Sequence, residues 1–313
     1  MTTPDLAVEA TPRDVALRVH LTLLVVQVIF GTFHVVGKAV LYEMPPLVLA
    51  AMRVAVATPL LAVYAWRHDR VVPRGRELLH LALLGGLGVT ANQLLFVVGL
   101  QHTTATNAAI LMVSVPVFTV AVAALLRVER VGPRRLLGIA LAVAGAAVLL
   151  DPRRLAFGRA SLVGNALILA NALAYSFFLV LQRPVLQRLP WRTVIAGAFF
   201  FGGAGVLLVA WPDLAALPGA GIPPRAWAGA LYIALIPTAL AYAANTWAVL
   251  RSSPALVAAY NTVQPLAAAV LAAAFLGERF GWAEAAGFAF IVAGLFRVSF
   301  RPSPPEKRAS SLR

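Results

Sequence analysis

The sequence predicts an all-α integral membrane protein of ten transmembrane helices, arranged as two inverted five-helix repeats. Composition gives the first reason: 61% of the 313 residues are hydrophobic and 12% are charged, against roughly 45–50% apolar and about 25% charged in a soluble domain. A succession of ten apolar runs gives the second, most of them near the ~20 residues that cover a ~30 Å hydrocarbon core. The third is a repeated sentence: "AALLRVERVG" at 123–132 returns as "AAAFLGERFG" at 272–281.

The runs cover 17–37, 47–66, 78–100, 105–126, 136–150, 161–182, 193–211, 226–250, 256–276 and 282–299. Each predicts a helix, because lipid offers an isolated span no backbone partner outside itself. The first run places Gln27, Gly31, His34 and Lys38 at spacings of 4, 3 and 4, along one helical face. The second follows Pro45-Pro46 and holds Arg53. Arg53 and Lys38 are expected to snorkel to the interface; the alternative is that either neutralises a substrate carboxylate. The third run centres on Asn92, and its Gly85, Gly88 and Gly99 suit close helix contact. The fourth is interrupted about ten residues in by Pro116, which deletes a backbone hydrogen bond and kinks a helix. The fifth is the shortest.

The sixth run repeats the first run's stripe with Asn171, Tyr175, Phe178 and Gln182. The seventh carries Gly202, Gly203 and Gly205 for packing, and in the eighth Tyr242 and Asn245 share a face. Tyr260 and Gln264 share a face of the ninth, just before Pro265, and the tenth closes the membrane part. Residues 1–16 and 300–313 read as solvated tails, leaving 17–150 and 161–299 as the two five-helix units.

At an offset of 149, Pro116 matches Pro265, Glu129-Arg130 matches Glu278-Arg279, and Gly132, Gly138 and Gly145 match Gly281, Gly287 and Gly294. Upstream the offset is 145, aligning Phe30 with Tyr175, Lys38 with Arg183 and Pro45 with Pro190. Five spans per unit is an odd number, so the second unit crosses in the opposite sense. That is the inverted-repeat architecture that encloses a site near the midplane. Of the 26 Lys and Arg, nineteen fall in the segments that are inside if the N-terminus is inside, six fall outside and Arg53 lies in a span. The positive-inside rule then places both termini in the cytoplasm of a multi-pass cell (inner) membrane protein.

Polar groups at depth are the candidates for binding: Gln27, His34, Asn92, Asn171, Tyr175, Tyr242, Asn245, Tyr260 and Gln264. Uncharged amides and phenols from both units predict a neutral cavity with aromatic walls, and Pro116 and Pro265 its hinges. His34 could carry a proton near neutrality, or simply pack. None of the twelve Asp and Glu lies near the middle of a span, which argues against exchange of protons for lipophilic cations. Glu129 and Glu278 sit at helix ends, where pairing with arginine or charging the start of the next helix is expected.

The chain has no cysteine, so no disulfide or thiolate metal site is possible. Catalytic residues, cofactors and metal ligands are not expected, since no phosphate-binding loop, zinc spacing or nucleophile elbow is present. The net charge of +14 reflects loop arginines rather than a nucleic-acid face. The expected partners are a small-molecule substrate and the lipid bilayer, with the chain a monomer or homodimer.

"FGTFHVVGKAVLYEMPPLVLAAMR" (Phe30 to Arg53) resembles the first signature of the EamA-type drug/metabolite transporters. "LQHTTATNAAILMVSVPVFTVAVAALLRVER" (Leu100 to Arg130) and "LRSSPALVAAYNTVQPLAAAVLAAAFLGER" (Leu250 to Arg279) resemble that family's Thr/Ser-rich turn, mid-helix Pro and closing Leu-Gly-Glu-Arg. Arg127-Val128 and Phe30 depart from the pattern, where Leu-Gly and Trp are commoner. The resemblance implies two inverted halves and export or exchange of small metabolites by alternating access. Together these readings predict a secondary exporter of small polar or zwitterionic metabolites such as amino acids, working without ATP. The alternatives are a proton-coupled multidrug or cation exporter and, in a different class, an intramembrane lipid-modifying enzyme.

Overall fold

Proline sets the first turn of the chain and repeats it in the second half. The computed structural model describes residues 12–129, 131–150, 159–217, 221–264 and 282–299. Its first helix, α1 (Pro12–Leu41), has Pro12 and the acidic Asp14 in its first turn, both suited to a helix start. Pro45, at φ −56° and ψ 141°, is the N-cap of α2 (Pro46–His68). Pro190 adopts φ −56° and ψ 139° in the same role between α6 (Arg159–Leu186) and α7 (Trp191–Ala215). Proline fixes φ and has no N–H to leave unsatisfied there, so two positions 145 residues apart build one turn.

The remaining elements follow the apolar runs. α3 spans Arg76–His102 and α8 spans Pro224–Arg251. α4 comprises Ala105–Met112 and Val115–Leu125, and α5 runs Pro133–Leu150. α9 begins as Pro254–Tyr260 and tightens into a 3-10 turn at Asn261–Val263, and α10 is Trp282–Ser299. No strand occurs among the described residues. Among the described residues seven helices, α1 to α4 and α6 to α8, are long and apolar enough to cross a membrane. Val35, Leu79, Phe200 and Leu208 are exposed on their outer faces, while Tyr42, Trp66, Trp211 and Trp282 stand exposed near helix ends, as in the aromatic belts of membrane interfaces. Pro265, Glu278 and Arg279 lie outside the described residues.

Glycine lets the helices touch. A Cβ on Gly138 would lie 2.8 Å from the Gly294 carbonyl oxygen, and one on Gly145 would lie 2.7 Å from that of Gly287. Ascending numbers in α5 thus meet descending numbers in α10, so the two helices run antiparallel. Gly85 of α3 sits against Gly202 of α7, and Gly99 of α3 against Gly164 of α6. Such small-residue seams substitute for a hydrophobic driving force that lipid cannot supply. The halves interlock: α1 packs chiefly on α8, α6 on α3 and α4, and α2 on α7.

Candidate functional site

Two helices carry a π turn at matching places, Gly86–Ala91 in α3 and Ala234–Leu240 in α8. In α8 the cause is Pro237, which cannot donate to the ladder; the neighbouring Thr238 hydroxyl donates instead to the Ile233 carbonyl, 2.7 Å away and five residues back. In α3 the turn holds Gly86 and Gly88, and Thr90 donates to the Gly202 carbonyl at 2.8 Å. π turns rotate the residues that follow and cluster at functional sites. Asn92 and Tyr242 come just after them, and the Tyr242 hydroxyl donates to Asn92 Oδ1. Asn171 Nδ2 donates to the Asn92 carbonyl at 2.6 Å, and Asn245 Nδ2 to the Tyr175 hydroxyl at 2.7 Å.

α4 and α9 break at the same depth. In α4 the Val113 and Ser114 amides turn back to Ile110 and Leu111 at 3.1 and 3.0 Å, directly ahead of Pro116. In α9 the tightened turn falls at Asn261–Val263. Met112 and Asn261, which are equivalent at the offset of 149, both face the cavity. Each short helix beyond has its own hydroxyl cap: Thr104 Oγ1 accepts from the Asn107 amide, and Ser253 Oγ from the Leu256 amide.

The cavity itself has a volume of about 50 Å³ and is walled by Phe30, Phe33, Phe96, Tyr175 and Tyr242, with His34, Arg53, Asn92, Asn171, Asn261 and Gln264 among them. Arg53 corrects the expectation of a snorkelling side chain and a neutral cavity. It is 2% exposed, its Nε donates to Thr238 Oγ1 at 2.9 Å, and its guanidinium lies 4.5 Å from the Phe33 ring centre. The π turn in α8 places Thr238 to receive it. Nη1 of Arg53 has no hydrogen-bond partner among the described residues, and no salt bridge to Arg53 occurs among them.

Other walls carry unpaired groups too. His34 Nδ1 lies 2.9 Å from the Phe30 carbonyl; a carbonyl only accepts, so Nδ1 carries the proton and Nε2 of the neutral ring is an acceptor. That Nε2 is buried without a partner among the described residues, as are Asn171 Oδ1, Asn261 Nδ2 and Gln264 Oε1. Buried polar atoms are normally paired. Five atoms on one small wall that find no partner among the described residues mark a place for a ligand or water.

Of the residues singled out from sequence, His34, Asn92, Asn171, Tyr175, Tyr242 and Gln264 line the cavity. Three stand behind it. Gln27 Oε1 accepts from Gln264 Nε2 at 2.8 Å, Asn245 orients Tyr175, and Tyr260 bonds His20 Nδ1 at 2.7 Å near the start of α1. Phe30, Phe33, Phe96, Met112, Asn261 and Arg53 complete the wall. Asn261 was readable as a polar neighbour of Gln264, and Arg53 as a charge within a span.

The helix ends are tied by charge. Lys38 Nζ donates to the carbonyls of Leu100, Gln101 and Thr103 at 2.7, 3.3 and 2.7 Å, capping the end of α3 rather than reaching for the interface. Arg183 Nη1 donates to the carbonyls of Val249 and Leu250 at 2.5 and 2.9 Å, at the end of α8. Glu129 pairs with Arg135 at 2.8 Å and accepts from the Ala255 amide at 3.3 Å, linking α5 to the start of α9.

Helices this long and apolar, wrapped around a small cavity with buried polar groups, define a multi-pass membrane protein. A family model described as the EamA-like transporter family matches residues 17–151 and again 162–300. The chain belongs to that family, and so is a membrane transporter and not an enzyme. It is 31% identical to the protein WALLS ARE THIN 1 of Arabidopsis thaliana, over 94% of this chain and 85% of that one. It is 30% identical to a transporter of Archaeoglobus fulgidus, over 89% and 96%. A probable terminal-alkyne amino-acid exporter of Streptantibioticus cattleyicolor is 31% identical over 84% and 87%. A solved crystal structure shares the fold with a TM-score of 0.71 at 20% identity, covering 90% of this chain and 96% of that one.

Proposed function

We propose that the protein is a secondary exporter of small zwitterionic metabolites such as amino acids. The observation that carries this is the set of unpaired atoms around Arg53. Arg53 Nη1 and Asn261 Nδ2 are donors suited to a carboxylate, while His34 Nε2, Asn171 Oδ1 and Gln264 Oε1 are three acceptors suited to an ammonium group. The aromatic walls accommodate an apolar body. The named activity of the Streptantibioticus relative supports the same substrate class. A lipophilic cation, by contrast, would meet Arg53 with no carboxylate among the lining residues, which disfavours the cation-exporter reading.

In this reading ten helices cross the membrane as two inverted halves, 17–150 and 161–299, with both termini cytoplasmic by the arginine bias of the loops. One chain then holds a whole cavity, whether it works as a monomer or a homodimer. A cavity of about 50 Å³ holds only a few water molecules at ~10–15 Å³ of probe volume each, so it must widen to take an amino acid. Pro116 and its repeat equivalent Pro265 would supply the bending points, and alternating access follows as the halves rock. The test is exchange in proteoliposomes across a panel of amino acids, their carboxamides, the corresponding decarboxylated amines and cationic dyes. Zwitterions should exchange and amines should not. Flux no faster than in empty vesicles for every compound, or a preference for the cations, would overturn the proposal.

A further inference from the structure

The repeat places equivalent residues along two seams that lead from the cavity to opposite ends of the bundle, and the two seams differ in chemistry. Each seam is closed at its far end by a cation on carbonyls: Lys38 on Leu100 and Gln101 at one end, Arg183 on Val249 and Leu250 at the other. The pairs match at the offsets of 145 and 149. α3 and α6 run antiparallel, since Asn171 meets Asn92 while Asn165 meets Thr103, so the two clasps lie at opposite ends.

Between the cavity and the Lys38 clasp, the α1–α3 seam is lined chiefly by apolar side chains. Phe33 and Phe96 rings stand 5.0 Å apart, Val97 is fully buried, and a Cβ on Gly37 would touch Phe33 at 3.0 Å and Leu100 at 3.5 Å. Between the cavity and the Arg183 clasp, the α6–α8 seam carries Asn245 where the first has Phe96, Thr246 where it has Val97, and Gln182 where it has Gly37. Asn245 Oδ1, Thr246 Oγ1 and both amide atoms of Gln182 are buried with no hydrogen-bond partner among the described residues. Gln182 continues the stripe of Tyr175 and Phe178, and Thr246 the stripe of Tyr242 toward Val249. Both Tyr175 and Phe178 lie against Tyr242, with ring centres 6.3 Å away.

We propose that the α6–α8 seam, lined by Gln182, Asn245 and Thr246, is the cytoplasmic entry route for substrate, and that the ligand-free carrier opens along it more readily than along the α1–α3 seam. Water entering the α6–α8 seam restores hydrogen bonds to groups that lack them when it is closed. Parting Phe33 from Phe96 wets apolar rings and reaches one unpaired acceptor, Nε2 of His34, whose ring lies 5.5 Å from that of Phe96. Opening the polar seam is therefore the easier of two motions that the fold otherwise makes equivalent. A carrier that opens this way first loads from the cytoplasm, which suits export. The inference rests on the carrier reading and on the orientation proposed above.

Single cysteines test it, because the chain contains none of its own. Thr246→Cys and its counterpart Val97→Cys are near-isosteric, and Arg74→Cys, in an exposed loop, reports which face is cytoplasmic. Labelling by a membrane-impermeant maleimide is followed in right-side-out and inside-out vesicles without substrate. Thr246→Cys should react at least tenfold faster than Val97→Cys, and from the same face as Arg74→Cys. Adding Gln182→Leu should slow the Thr246→Cys reaction several-fold, and adding Phe96→Asn should speed that of Val97→Cys. Equal rates, faster labelling of Val97→Cys, or no labelling of Thr246→Cys would overturn the inference. Labelling of Arg74→Cys from the outer face would overturn the orientation instead. Because no substrate is present, a silent flux assay leaves the labelling result standing, so the two proposals fail separately.

Discussion

Arg53→Met separates a binding role for the buried guanidinium from a structural one. Methionine keeps an unbranched stem beside Phe33 but removes the charge, the bond to Thr238 and the free Nη1. Thr238 Oγ1 is left satisfied through its own bond to Ile233. A hydrogen bond to a charged group contributes about 1.5–3 kcal/mol net. At about 1.4 kcal/mol per factor of ten, the KM for an amino acid should rise roughly 10–100-fold. The KM for the matching carboxamide, which never used the charge, should change less than about threefold. Stability should move the other way. Arg53 is a buried cation with no acidic partner among the described residues, an arrangement that costs folding energy, so the variant should melt at the same temperature or higher in detergent. The assays are counterflow in proteoliposomes and thermal denaturation of the purified protein. If acid and carboxamide lose equally while the melting temperature drops by several degrees, Arg53 is a packing residue and the carboxylate assignment is wrong.

Three further substitutions probe the frame around the site. Gly294→Val puts a branched side chain where a single Cβ already comes within 2.5 Å of the Gly138 carbonyl oxygen and 2.6 Å of the Ala142 amide. Overpacking of this kind costs about 1–3 kcal/mol, which should appear as unfolding at a lower mole fraction of dodecyl sulfate. Tyr242→Phe leaves Asn92 Oδ1 buried and unpaired, so thermal denaturation should register a loss of about 1–3 kcal/mol. Asp69→Asn weakens the start of α7, where the carboxylate accepts from the Thr193 amide and hydroxyl at 3.1 and 3.0 Å and from Arg192 at 3.1 Å. Loss of such a cap and its charge costs about 1 kcal/mol, read as a melting temperature lower by a few degrees.

The repeat was legible because it is written in residues whose role is local. Pro45 and Pro190 set the same turn wherever they occur, and Gly138, Gly145 and Gly294 mark surfaces that admit no Cβ. Side-chain direction was harder to read, since a stripe drawn at 3.6 residues per turn assumes an unbroken α-helix. Tyr260 and Gln264 share a face on that assumption. The 3-10 turn at Asn261–Val263 rotates one away from the other, sending Tyr260 to His20 and Gln264 to the cavity. The π turns in α3 and α8 disturb the period in the same way. Arg53 was misjudged for a different reason: its partner Thr238 lies 185 residues away, and nothing near Arg53 in sequence shows that a hydroxyl would be waiting for it. Lys38 and Arg183 could be aligned from sequence, but the carbonyls they clasp could not.

The crossed glycines of α5 and α10 carry an implication for how such a chain can arise. Gly138 meets Gly294 and Gly145 meets Gly287, yet by repeat position Gly138 corresponds to Gly287 and Gly145 to Gly294. Each helix therefore offers its neighbour the very surface that its neighbour offers in return. Two copies of a half-length chain, lying in opposite directions, could recognise each other through that surface alone. Fusion would then fix a partnership that unfused ancestors could already form, and free each half to change its own residues. The polar seam beside α6 and the aromatic seam beside α1 are the kind of divergence that such freedom allows.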